Sequence, residues 1–298
     1  MTTLQLRMRE ELVRRDFSES AIRTYLHAVE AFRQWAGKRL DHLGPDEMRR
    51  YHAYLLEERK LAKTTVVTHI SALRFFYVRM LKRRNMKEDL PYPKRPKKLP
   101  VVLSQEEVGR LIDSAKNLFH RAMLMTLYAA GLRRSELCRL KVSNIDSQRM
   151  MLRVEQGKNR VDRDVPLSNE LLQTLREYWR WMRPKTYLFP GTVNGWRADK
   201  PITSKVIWEA VRDATRKAGI DKHVTPHTLR HTYVTHLLEA GADLRTIQLL
   251  LGHADLSHTT VYLHLSQKHL QAAPNPLTQI KVSGTDRLPR SRRLQKAG

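Results

Sequence analysis

Near its C-terminus the chain reads HTLRH from His227 to His231, then LGHADLSHTTVY from Leu251 to Tyr262. Two histidines (His227 and His253), one arginine (Arg230) and one tyrosine (Tyr262) are thereby gathered at the ends of short predicted helices. That set of side chains suits the holding of a phosphodiester while a phenol oxygen attacks it. In-line attack builds negative charge on the non-bridging oxygens, and cationic or N–H donors fixed in advance stabilise that charge. A phenol, with a pKa of about 10, needs a base to lose its proton. An imidazole beside it can serve.

Other stretches carry candidates of the same kind. In TLYAAGLRRSEL, Thr126 to Leu137, a helix is expected to end at Gly131, with Arg133, Arg134 and Glu136 opening the next. Backbone amides at a helix start attract anions, and a guanidinium grips two phosphate oxygens at once. The ordinary reading of the same residues is a charged helix cap with solvated arginines. Lys158, in QGKNR, falls at the tip of an expected hairpin. It is either a plain exposed lysine or an ammonium able to protonate a departing oxygen. His227 and Arg230 lie three apart and project from one side of a helix. His227 and His231 have a metal-binding spacing. However, Thr228 stands where a zinc-protease glutamate belongs, no third ligand follows, and Arg230 would repel a cation. No metal is expected. Tyr262 alone would fit a core position as well as a site, but His258, Thr259, Thr260 and His264 around it favour an opening to solvent.

The elements that must place these residues divide the chain in three. Residues 1–84 read as four helices, with Leu4, Met8 and Leu12, then Ala21, Tyr25, Ala28, Val29 and Phe32, at helical spacing. Ser18 is a cap, Gly37 a stop, and Gly44-Pro45 opens a third helix. The fourth is expected from Thr64 to Arg83, with Ile70, Leu73, Phe76, Tyr77 and Met80 on one face. Residues 85–103 form a basic, proline-rich linker, extended and fairly stiff. Its cations and those just before it (Arg83, Arg84, Lys94, Arg95, Lys97 and Lys98) are candidates for crossing a phosphate backbone. A second domain, 104–272, begins at a capping box, Ser104 with Glu107. MLRVEQ and VDRDVPL, between Met150 and Leu167, read as a β-hairpin, and helical patterning dominates from Asn169 to about Ala272. Residues 273–298 form a basic tail, expected to be disordered when free.

Composition points to the partner. The 298 residues carry a formal charge of +25 and a pI near 10.5, which implies a polyanion, nucleic acid before a membrane surface. No apolar run approaches the roughly 18–20 residues of a membrane span, and MTTLQLRMREEL lacks the apolar stretch of a signal peptide. Cys138 is the sole cysteine, which suits a reducing compartment and a cytoplasmic location. The sequence has no P-loop and no carboxylate cluster suited to magnesium, so no cofactor is expected.

Over residues 1 to about 270 the chain resembles the tyrosine recombinases, or phage integrase family, and is most similar to its compact Xer-type members. AGLRRSEL, HTLRHTYVTHLLEAG and LGHADLSHTTVY carry the resemblance, in order and at family-like spacing. It implies a mainly α fold with a small β-hairpin or sheet (α+β), in which a helical core-DNA-binding bundle and a catalytic domain form a C-shaped clamp on the duplex. It implies Arg133 and Arg230 on the scissile phosphate, and His227 and His253 as the pocket histidines. Lys158 would be the hairpin lysine, Tyr262 the nucleophile and Glu136 a supporting acid. One departure stands out: the family hairpin reads GKG, whereas Asn159 replaces the second glycine here, leaving Arg160 as an alternative cation. The implied activity is site-specific strand exchange through a 3′-phosphotyrosyl link. The implied partners are double-stranded DNA and three further copies of the chain, a tetramer on two DNA sites, with accessory or directionality proteins possible in addition. Residues 265–272 would dock on a neighbour. Short core sites are expected, since no extra N-terminal arm-reading domain is apparent, and the basic tail hints at a mobile element. The competing readings are a catalytically silent DNA-binding accessory protein and a type IB topoisomerase-like enzyme.

Overall fold

The computed structural model describes residues 2–83, 86, 88–93, 100–155, 162–193 and 196–252. The chain divides into two compact units, residues 1–98 and 99–298.

In the first unit, local capping chemistry sets the helix ends. Helix α1 (Thr3–Arg14) opens on a reciprocal box between Thr2 and Gln5. Helix α2 (Glu19–Ala36) runs from Ser18, whose hydroxyl accepts the Ala21 N–H, to Gly37 at φ +63°. Helix α3 (Pro45–Glu57) begins with proline at its first position, where no N–H is missed. Helix α4 (Lys63–Arg74) does not continue to Arg83 as an α-helix, and Phe75–Met80 widen into π-helical turns. The reason lies in three consecutive aromatics, Phe75, Phe76 and Tyr77, all buried. An α-helix turns successive side chains about 100° apart, so a wider turn is needed to keep all three toward one core. Tyr77 donates its hydroxyl to the Leu40 carbonyl at 2.8 Å, which satisfies the one polar atom the ring buries.

Residues expected in the linker contribute to the cores. Met86 and Leu90 are 3% and 1% exposed and pack into the first core. Arg74 donates Nε to the Leu90 carbonyl at 2.9 Å and lies 4.3 Å above the Tyr92 ring. Leu103 already belongs to the second core. Apolar residues placed among the prolines and lysines supply burial that the charge count conceals.

The second unit starts as its capping box predicts, with α5 (Gln105–Asp113) opened by Ser104 and Glu107. Helices α6 (Leu118–Ala129) and α7 (Arg134–Arg139) follow. The expected hairpin is the greater part of an antiparallel sheet, β1 (Ile145–Asp146), β2 (Met151–Val154) and β3 (Arg163–Pro166), in that order. Leu152 pairs with Val165 and Val154 with Arg163, so these four share the buried face. After α8 (Asn169–Met182) the helical pattern breaks, against expectation, into a second hairpin, β4 (Pro190–Val193) and β5 (Trp196–Pro201). Pro190, Gly191 and Pro201 oppose a helix there, and Asn194-Gly195 is the strongest short hairpin signal a sequence carries. Helices α9 (Ser204–Lys217), α10 (Pro226–Glu239) and α11 (Leu244–Leu251) complete the described chain, α11 ending at Gly252 with φ +59°. Among the described residues, no helix is long and apolar enough to cross a membrane. The architecture is mainly α with small antiparallel sheets, the fold class read from the sequence.

Candidate active site

A sharp turn between α6 and α7 sets the first arginine. Gly131 adopts φ +54°, and a β-carbon there would run into the Tyr233 ring. Arg133 then caps α7. Its backbone N–H donates to Glu136 Oε2 at 2.8 Å while its Nη1 donates to Oε1 at 2.7 Å. One carboxylate thus closes the helix end and fixes the guanidinium beside it.

The second arginine comes from α10, which Thr225 caps and Pro226 opens. Arg230 is 4% exposed. Its Nη1 donates to the Gly131 carbonyl at 2.6 Å and its Nη2 to the Leu251 carbonyl at 2.8 Å. Nη1 also lies 3.8 Å from Glu136 Oε2. The turn before α7, the start of α10 and the end of α11 therefore meet at one side chain.

Sequence reasoning missed a third cation, Arg163. It sits on the buried face of β3 and donates Nη1 and Nη2 to Glu136 Oε1 and Oε2 at 3.2 and 2.8 Å, and Nε to the Leu250 carbonyl at 2.6 Å. The available signal was alternation. In RDVP, Arg163 shares its side with Val165, so an arginine occupies an inward strand position and must have a buried partner.

The electrostatics follow from this convergence. Burial alone would raise the Glu136 pKa. The hydrogen bonds and charge of Arg163, with the Arg133 amide and guanidinium, outweigh it and hold the carboxyl at about 2. His227 is pushed below its ordinary value, first by burial and then by Arg230, Arg134 and Arg133. His231 falls to about 4 through burial, His227 and Arg230. A neutral imidazole next to clustered guanidiniums can accept a proton. Arg133 keeps 21% of its side chain exposed, against 5% for Arg230 and Arg163. Of these three cations it is the most exposed.

Of the site residues read from the sequence, Arg133, Glu136 and Arg230 are brought into contact, and His227 feels both arginines. Lys158, its alternative Arg160, His253 and Tyr262 lie outside the described residues, as do residues 265–272 and the tail.

Of the expected linker contacts, Arg84, Lys94, Arg95, Lys97 and Lys98 also lie outside the described residues. Arg83 is among the described residues. Its Nη1 and Nη2 donate to the Leu43 and Asp41 carbonyls at 3.0 and 2.6 Å, inside the first unit. These two carbonyls hold the guanidinium in place. The sequence holds a better-placed basic stretch: no Asp or Glu occurs between Glu58 and Glu88. Arg79 and Lys82 are exposed in that run. They border a surface hollow of about 580 Å³ together with Tyr25, Arg74 and Tyr92.

Residues 101–269 match the model of the phage integrase family, and residues 4–86 that of the phage integrase N-terminal SAM-like domain. The chain belongs to the phage integrase family, the tyrosine recombinases, enzymes that break and rejoin DNA strands. It is 47% identical over 277 residues to the integrase/recombinase y4qK of Sinorhizobium fredii, covering 93% of this chain and 89% of that one. The crystal structure of a XerA recombinase superposes with a TM-score of 0.54 at 33% identity, covering 91% of this chain and 98% of that one. A lambda integrase tetramer bound to a Holliday junction shares the fold, with a TM-score of 0.70 at 20% identity over 87% of this chain and 76% of that one.

Proposed function

We propose that the chain is a site-specific DNA recombinase working through a 3′-phosphotyrosyl intermediate. The observation that carries this reading is the convergence of Arg133 and Arg230 on Glu136, with a neutral His227 beside them. In the scheme, the two guanidiniums bind the non-bridging oxygens of one phosphate. The Tyr262 hydroxyl attacks phosphorus and gives its proton to His227. The bond from phosphorus to the 5′ oxygen breaks, and that oxygen leaves as a hydroxyl, protonated by Lys158. His253 donates a hydrogen bond to the pentacovalent phosphate. The phosphotyrosyl link conserves the bond, so attack by another strand's 5′ hydroxyl reseals it. No step calls for a metal or a nucleotide.

The first unit holds the flanking duplex in this scheme, with Arg79 and Lys82 on phosphates and the cations from Lys94 to Lys98 crossing the backbone. The second unit carries the chemistry. Four copies act on two DNA sites, in keeping with the tetrameric state of the lambda integrase structure. The work is done on cytoplasmic DNA and serves a mobile element, a reading supported by the likeness to an integrase/recombinase and by the basic tail.

The test uses the full chain and a library of nicked duplexes with a randomised core, in which cleavage releases a short strand and traps the protein. Detergent-stable adducts that converge on one core sequence support the reading. Absence of any adduct, or normal recombination by an Arg133→Ala, Arg230→Ala double variant, contradicts it. Relaxation of plasmids lacking the selected core would favour topoisomerase action instead.

A further inference from the structure

Arg163 is a buried cation that the scheme above does not use. A desolvated ion pair is costly, and apolar packing of similar volume often replaces one without loss of stability. The contacts here are unusual in where they lead. The Nη1 and Nη2 donors hold both oxygens of Glu136, the carboxylate that fixes Arg133, and Nε holds the Leu250 carbonyl at the end of α11. Leu250 is followed within a few positions by Gly252 and His253, and β3, which Arg163 opens, follows the segment containing Lys158. Arg230 repeats the arrangement one residue on, through the Leu251 carbonyl.

From this geometry we infer that Arg163 is a positioning residue for strand cleavage: one planar cation that ties the Arg133 turn, the strand following Lys158 and the end of α11 into a single register. The inference rests on the recombinase reading. A guanidinium suits the task because its donors form a rigid fork that meets a carboxylate in parallel while a third N–H points elsewhere. A lysine keeps the charge but cannot make the three directed contacts together. Since catalysis by positioned groups is sensitive to displacements of about an ångström, loss of the tie should slow chemistry without weakening DNA binding.

The experiment compares the parent with Arg163→Lys on one core sequence selected from the nicked library. It measures the single-turnover rate of adduct formation at saturating DNA, the gel-shift affinity and the melting temperature. Arg163→Lys should lower the rate by about ten-fold or more, with affinity within about two-fold of the parent. A rate within about two-fold of the parent overturns the inference, as does a loss of rate matched by an equal loss of affinity. If Arg163→Lys does not fold, Arg163→Met with Glu136→Gln removes the Arg163–Glu136 ion pair, leaving Arg230 charged as in Glu136→Gln alone, with which it is compared. A double variant with restored melting temperature but a rate at least about five-fold below the single variant supports the tie to α11. Equal rates overturn it. Failure of the parent to form any adduct would sink the recombinase reading itself, whereas an active parent with an unaffected Arg163→Lys sinks only this inference.

Discussion

Glu136 holds Arg133 twice, accepting its backbone N–H at 2.8 Å and its Nη1 at 2.7 Å. The same carboxylate accepts both terminal nitrogens of Arg163 and is 7% exposed. One buried anion therefore organises Arg133 and Arg163, and its ionisation becomes part of the stability of the fold.

That coupling has a direction. The folded-state pKa of Glu136 is lowered from 4.5 to about 2, so its stabilisation is full above pH 4.5 and is lost as the pH falls toward 2. The free energy at stake is about 3 kcal/mol. Urea unfolding measured over that range should steepen with acid in the parent and flatten in Glu136→Gln. The substitution should also cost about 3–5 kcal/mol at neutral pH, because it leaves Arg163 buried without its counter-charge. Parallel pH profiles for parent and variant would contradict this.

His227 bears on the rate rather than the fold. Its pKa lies below 6.5 because of burial and the neighbouring Arg230, Arg134 and Arg133. As proton acceptor it should sustain adduct formation at neutral pH and lose it only in more acid solution. Single-turnover rates across pH should have an acid limb with a midpoint under 6.5. His227→Gln should lower the plateau by roughly 10²-fold or more and abolish that limb. A limb unchanged in the variant would remove His227 from the proton-transfer step.

The tight turn at Gly131 can be separated from ordinary glycine strain. Gly131 and Gly37 both have positive φ, +54° and +63°, but only Gly131 has a side chain, Tyr233, in the space a β-carbon would take. Gly37→Ala should cost about 1–2 kcal/mol from backbone conformation alone. Gly131→Ala should cost about 1–3 kcal/mol more through overpacking. It should also slow adduct formation, since the Gly131 carbonyl anchors Arg230. Equal denaturation midpoints for the two variants would argue against the packing explanation.

Much of this was legible beforehand, for reasons that differ between elements. Ser18, Gly37 and Ser104 end helices where the sequence placed their ends, because capping is local chemistry that nearby residues decide. Arg133, Glu136 and Arg230 were legible through motif and spacing. Arg163 was missed because its partners Glu136 and Leu250 are remote in sequence, although alternation in RDVP marks it as inward. The π-helical turns at Phe75–Met80 arise from tertiary burial of three neighbouring rings, which a strict 3.6-residue period does not anticipate. Net charge does not show that the Arg83 guanidinium holds two backbone carbonyls.

The first unit offers a test of which cations meet DNA. Arg79→Ala and Lys82→Ala should weaken binding uniformly across sequences and each reduce the slope of log affinity against log salt by about one. Arg83→Ala should leave the slope unchanged and lower the melting temperature. A reduced slope for Arg83→Ala would return that residue to the DNA interface.

The account depends most on a covalent bond between the chain and one strand end. The direct measurement is mass spectrometry of the nuclease-trimmed, protease-digested adduct formed on the nicked library. The account predicts one modified peptide, spanning His253 to His264 in sequence and carrying a nucleotide through its 3′ phosphate on Tyr262, and no such peptide from Tyr262→Phe. A nucleotide attached to any other residue, or an adduct that persists in Tyr262→Phe, would contradict it.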